Sequence, residues 1–251
     1  MAINLLDRMG IQSWCFRSIK THDGVIDALK QCGVKNIELC GAHYKPEVEN
    51  DHAKIVADYK KKGVTVSSFG VVGIGTDEAK ARKVFDFAKA AGFKTISADL
   101  APGGLEVAEK LCKEYNKKIA IHNHGRKHAL GSVKALDELF AKASTNVGLC
   151  MDTAWMLDSG ENPVEIAKKF ANRLYGIHLK DFIFKRDGKP EDVVIGQGNL
   201  DLKAYIETLL ANNFDGYFTL EYEGDVETPI PATKKCVEAV TAMLKKCGAA
   251  G

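Results

Sequence analysis

Eight short runs rich in β-branched, aromatic and small apolar residues punctuate the chain. They are MGIQSWC (9–15), VKNIELC (34–40), VTVSSFG (64–70), FKTISAD (93–99), KKIAIHN (117–123), VGLCMD (147–152), LYGIHLK (174–180) and YFTLEYE (217–223). Runs of this length and composition read as strands. Most begin about 25 to 30 residues after the previous one, roughly one strand-plus-helix unit; the last gap is longer.

Between them lie helical patterns with start and stop signals. Thr21 precedes one that ends at Gly33. Thr76, followed by Asp77 and Glu78, opens one that ends at Gly92. Ser132 can cap VKALDELFAKA, Asn162 is followed by Pro163 at the first helical position, and Thr228 and Pro229 precede the last helix. Gly33, Gly63, Gly92 and Gly176 stand just before or at the start of a strand, where a helix ending in a left-handed residue wants glycine. The strand cores read as apolar on both faces, as parallel strands covered by helices do.

Eight such units in 251 residues have the size and count of an α/β fold, a single (β/α)8 TIM barrel, in one domain over residues 1–251. The rival is a doubly wound sheet, which carries a glycine-rich phosphate turn after its first strand. Here that strand runs into SWCFRS, and GVVGIG (70–75) follows the third strand with the wrong spacing.

Composition narrows the class. Net charge is +2 and no basic stripe appears, so no nucleic-acid partner is expected. No apolar run approaches the roughly 20 residues of a membrane span, so no membrane partner is expected either. MAINLLDRMG lacks an apolar core followed by a small-residue cleavage site. The seven cysteines are widely spaced without a C-x-x-C, which reads as reduced thiols in a cytoplasmic protein.

Barrels place their chemistry at the C-terminal strand ends. There stand Glu38, Asp99, His122, Asn123, His124, Asp152, His178, Lys180, Asp181, Glu221 and Glu223. A carboxylate left alone in an apolar mouth costs several kcal/mol, and a divalent cation would offset it. His122, Asp152, His178 and Glu221, from strands five to eight, form a mixed nitrogen/oxygen set suited to such an ion. Taken singly, each has a plainer role. A lone histidine is more often a hydrogen-bonded structural residue, and His22, His43, His52 and His128 read that way. Asp152 alone could cap the next helix, Glu221 alone could pair with Lys180, and Asp99 before APGG is equally a turn residue. Trp14, Phe16 and Trp155 read as mouth or core packing, with an aromatic wall for a sugar ring as the alternative.

The residues resemble the sugar phosphate isomerase/epimerase family of xylose isomerase-like barrels over nearly the whole length. GIQSWCFR is similar to its first strand, VKNIELCGAHY to its second, and VGLCMD, YGIHLKD and GQGNLDLKAYIETLLANNFDGYFTLEYE to its last three units. The resemblance implies one divalent metal (manganese, cobalt, zinc, magnesium or iron) held from strands five to eight, with Asp152, His178 and Glu221 at matching positions. The fifth-strand position, a glutamate in relatives, is His122 here. In epimerase members that glutamate and the eighth-strand one shuttle protons on opposite faces of the substrate, so one base is replaced. Trp155 stands where several relatives have histidine. Members often form dimers or tetramers, which leaves a homo-oligomer open, although the chain shows no interface.

The resemblance implies a metal-dependent isomerase or epimerase acting on a small carbohydrate: a ketose, inosose or keto-sugar. The expected chemistry is proton abstraction next to a carbonyl. Glu221, His124, Lys180 and Glu38 are the candidate catalytic groups, with His124 expected on the same side of the strand as His122 but further out and Asn123 on the opposite side. The same start gives elimination, as in a dehydratase or lyase, when a leaving group adjoins the carbanion. A phosphodiesterase like the DNA-repair nucleases that share this barrel needs more ligands than remain. A non-catalytic sugar-binding barrel would need no tightly held ion.

Overall fold

Parallel strands joined mostly by helices can stay an open sheet or close into a barrel, and here they close. The computed structural model describes residues 4–249, so the outermost residues of the expected 1–251 domain lie outside the described ones. Its strands are β1 (Met9–Gln12), β2 (Asn36–Leu39), β3 (Thr65–Ile74), β4 (Thr95–Leu100), β5 (Lys118–His122), β6 (Val147–Asp152), β7 (Leu174–Leu179), β8 (Phe182–Phe184), β9 (Pro190–Asp192) and β10 (Tyr217–Leu220). Eight form a closed parallel barrel in the order β1-β10-β7-β6-β5-β4-β3-β2. Each contains or overlaps one of the eight runs read from the sequence. β8 and β9 form a separate antiparallel hairpin in the long last gap.

The helices begin much as their capping residues dictate. Thr21, Ser132 and Asn162 accept backbone N–H groups of the first turn at Gly24, Ala135 and Val164. One cap moves by a residue: Asp77, not Thr76, accepts from Lys80 N, because its carboxylate reaches the first-turn amide. Gly33, Gly63 and Gly92 are left-handed, as helix ends require. Gly176 is not. It lies inside β7 opposite Tyr217, and a Cβ there would overlap the Tyr217 ring. Its purpose is room for an aromatic side chain.

Most strands are shorter than their runs, and β1 and β10 each end three residues early. β1 stops at Gln12, whose side chain accepts the Trp14 amide and starts a 3-10 turn over Ser13–Phe16. β10 stops at Leu220. Conversely, β3 extends through most of GVVGIG to Ile74, with a register shift against β4 between Phe69 and Val72.

Apolar side chains such as Ile37, Ile96, Ile119, Leu149, Ile177 and Phe218 are fully buried in the main core. The strands are not apolar on both faces. Glu38, Ser68, Ser97, Asp152, His178 and Thr219 are equally buried, and that polar set marks where the chemistry is. No helix among the described residues is long and apolar enough to cross a membrane.

Candidate metal and substrate site

The C-terminal strand ends bring His122, Asp152, His178 and Glu221 together. One ligand atom from each lies within 4.8 Å of the others. These residues come from β5, β6, β7 and the step just past β10, which are consecutive in the ring. Asp152 and His178 are fully buried, and His122 and Glu221 are 2% and 7% exposed.

Partners are missing where a ligand would bind. Among the described residues, neither ring nitrogen of His122 has a hydrogen-bond partner, nor does Asp152 Oδ2, which lies 3.6 Å from His122 Nε2. Buried polar atoms are normally satisfied, and each orphan costs about 1–3 kcal/mol. The other half of Asp152 is committed, with Oδ1 accepting the Trp155 amide at 2.9 Å. Its backbone is clamped as well. Asn123 Nδ2 donates to Asp152 O at 3.0 Å, and Asp152 N donates to Asn123 Oδ1 at 2.9 Å. Asn123 was expected only to point away from His122; the clamp it makes fixes β5 against β6 beside two of the four donors. Its one clue in the sequence is an amide between two histidines.

Charge follows from this packing. Burial, and then the neighbouring His178 and His124, hold the His122 imidazole well below its ordinary range, so one of its ring nitrogens keeps a free lone pair. Burial pushes the Asp152 carboxyl up. Burial would raise Glu221 too, but His178, by charge and hydrogen bond, outweighs it and Glu221 stays ionised. For His178, burial opposes the charged form while Cys150, Glu38 and Glu221 favour it by more. Its Nδ1 faces Glu221 Oε2 at 3.1 Å and its Nε2 faces Glu38 Oε2 at 2.9 Å.

Above the cluster opens a pocket of about 430 Å³ lined by Gln12, Trp14, His122, His124, Trp155 and Glu221, among others. The His124 ring centre lies 4.3 Å from that of His122 with the planes tilted by 53°; the residue is half-buried and its Nδ1 has no partner among the described residues. Trp14 and Trp155 form walls, whereas Phe16 is core. Lys180 is buried and pairs with Glu223 and, at 3.6 Å, Asp192, not with Glu221. Its ammonium sits 5.5 Å from the Trp155 ring and 5.2 Å from that of Phe182. The hairpin that supplies Asp192 was not read from the sequence, although its Asp187-Gly188 pair is a hairpin signal. Asp181 accepts the amides of Gly196, Gly198 and Leu200 and shapes the loop beyond.

A second set, Asp99, His124 and His128, also lies within ligand range. His128 Nδ1 accepts the Leu130 amide and its Nε2 donates to Asp99 Oδ2 at 3.1 Å. A cation on Nε2 would leave that ring without a proton, so the pair is structural. His22, His43 and His52 are likewise hydrogen-bonded, to Tyr59, to the Phe16 and Ile19 carbonyls, and to Tyr44. A larger hollow of about 680 Å³ lies at the N-terminal strand ends among Lys94, Lys118, Asn146 and Tyr175. It is the wrong end of a barrel for chemistry and holds none of the four donors.

A closed parallel barrel with its buried polar cluster at the C-terminal mouth defines a TIM-barrel fold. The chain belongs to the xylose isomerase-like TIM barrel family, whose model matches residues 99–247, a span that includes all four donors. It is 30% identical over 142 residues to an inosose dehydratase of Clostridium botulinum, covering 51% of this chain and 47% of that protein. The chain thus spans about half the length of the curated relatives it matches. A solved protein from Parabacteroides distasonis is 27% identical with a TM-score of 0.70, covering 95% of this chain and 98% of that one. The IOLI protein, solved with a bound zinc atom, shares the fold with a TM-score of 0.75 at 14% identity, covering 95% and 98%.

Proposed function

We propose that this chain holds one divalent cation through His122, Asp152, His178 and Glu221 and acts as an isomerase or epimerase on a small keto-sugar, ketose or inosose. The observation that carries this reading is the buried four-residue cluster with orphaned donor atoms at the floor of a pocket. The donor set fits a manganese, cobalt, zinc, magnesium or iron ion. When bound, the cation polarises the substrate carbonyl and acidifies the adjacent C–H.

The chain's own residues do the rest. Glu221 lines the pocket with an ionised carboxylate and takes a proton on its side. His124 lines the same pocket from beyond β5, three places round the ring from β10, so it reaches the substrate from another side. Burial and His128 keep it neutral and able to accept a proton. Lys180, fixed by Glu223 and Asp192, supplies positive charge against a developing oxyanion. Trp14 and Trp155 offer apolar faces to a sugar ring.

A second reading, elimination by a dehydratase or lyase, is favoured by the inosose dehydratase relatives and by His122 replacing a carboxylate base. Both readings begin with the same proton abstraction. The closed ring of strands supports residues 1–251 as one domain, and seven free thiols support a reducing cytoplasm. The test is metal-supplemented incubation with ketoses, inososes and 3-keto-glycosides in heavy water. Solvent deuterium in an isomeric product supports the first reading, and a dehydrated product supports the second. No exchange and no product across the panel would refute both.

A further inference from the structure

We propose that Glu38 is a positioning residue: it receives the Nε2 proton of His178 and so turns the Nδ1 lone pair of that imidazole toward the cation. This rests on reading the four-residue cluster as a cation site. Glu38 was expected among the proton carriers, and its geometry points elsewhere. It is fully buried and does not line the pocket. Its Oε2 reaches across the barrel from β2 to His178 Nε2 at 2.9 Å, a contact between residues 140 apart in sequence. Its other oxygen has no partner among the described residues.

An imidazole that ligates a cation through one nitrogen is neutral and keeps a single N–H, on the other nitrogen. His178 has a carboxylate at each nitrogen, so only one can receive that proton. Glu221, at Nδ1, lines the pocket and belongs to the donor cluster. Glu38, at Nε2, lies beneath it. Assigning the proton to Nε2 gives both carboxylates a purpose: Glu38 accepts the hydrogen bond, and Glu221 shares the cation with Nδ1. The opposite tautomer would spend the Glu221 oxygen on a proton and aim the ring's lone pair at a second carboxylate. A ligating histidine whose other N–H is held by a carboxylate is fixed in tilt and made a stronger donor; losing such a partner weakens metal binding about 10- to 100-fold.

The test uses zinc alone as the probe. Zinc affinity is measured by competition with a chromophoric chelator for wild type and E38Q, alongside melting of the metal-free forms. A long-range proton–nitrogen spectrum of the zinc-loaded wild type reads the His178 tautomer without any variant. Weaker binding in E38Q by about 10- to 100-fold, with a folded metal-free form and wild-type His178 protonated on Nε2, supports the proposal. Equal affinity in E38Q, or a proton on Nδ1, overturns the role of Glu38 alone. A wild type that takes up no zinc overturns the cation reading itself, and this inference with it.

Discussion

Asp152→Asn separates what the carboxylate does for a cation from what it does for the fold. The two oxygens of Asp152 have different tasks. Oδ1 caps Trp155 N at 2.9 Å, while Oδ2 is buried and unpartnered beside His122. An amide keeps the cap through its oxygen and replaces Oδ2 with an N–H donor that cannot ligate. The Asn123 clamp uses only the backbone of Asp152 and survives. Asp152→Ala removes the cap as well, which costs about 0.5–2 kcal/mol. In a chain of this size that is a melting shift of about 2–4 °C per kcal/mol. The expected pattern is therefore metal affinity reduced at least about a hundredfold in both variants, which is about 2.7 kcal/mol, with metal-free melting near wild type in D152N and lower in D152A. Metal per chain by elemental analysis and melting by scanning fluorimetry are the assays. Stoichiometric metal at wild-type affinity in D152N would refute a ligand role for Asp152.

Three further outcomes follow from other parts of the molecule. His124→Ala should keep the metal and lose about 10²- to 10⁴-fold in turnover; loss of the metal instead would make His124 a ligand. Gly176→Ala should lower stability by about 1–3 kcal/mol, because the new methyl overlaps the Tyr217 ring, and an unchanged melting temperature would contradict that packing. His22, His43 and His52 are each held below the ordinary 6.5, by burial first. The unfolded chain therefore binds more protons below pH 6.5, and the stability these rings allow is present above that pH and lost as pH falls beneath it. A melting series from pH 5 to 7.5 should show a shallower acid loss for His43→Gln, which keeps a donor for the Phe16 and Ile19 carbonyls without titrating; an identical slope would count against the assignment.

The barrel was legible because its β-rich runs recur at nearly even spacing, with capping residues between them. Misreadings have local causes. SWC looks like strand by composition, yet the Gln12 side chain takes the Trp14 amide and turns the chain. Gly176 sits where a cap would, yet it faces Tyr217. The β8–β9 hairpin has strands of three residues, too short for any periodicity. The juxtaposition of His122, Asp152, His178 and Glu221 was legible because strand ends face one mouth. The partners of each of these residues were not. Glu38 meets His178 only because the barrel closes, and Lys180 meets Asp192 only because the hairpin folds over it.

Anomalous diffraction from crystals grown with cobalt or zinc tests the central claim most directly. A single peak is expected about 2.0–2.2 Å from one donor atom each of His122, Asp152, His178 and Glu221. An empty cluster, or a peak lying instead between Asp99 and His128, would contradict it.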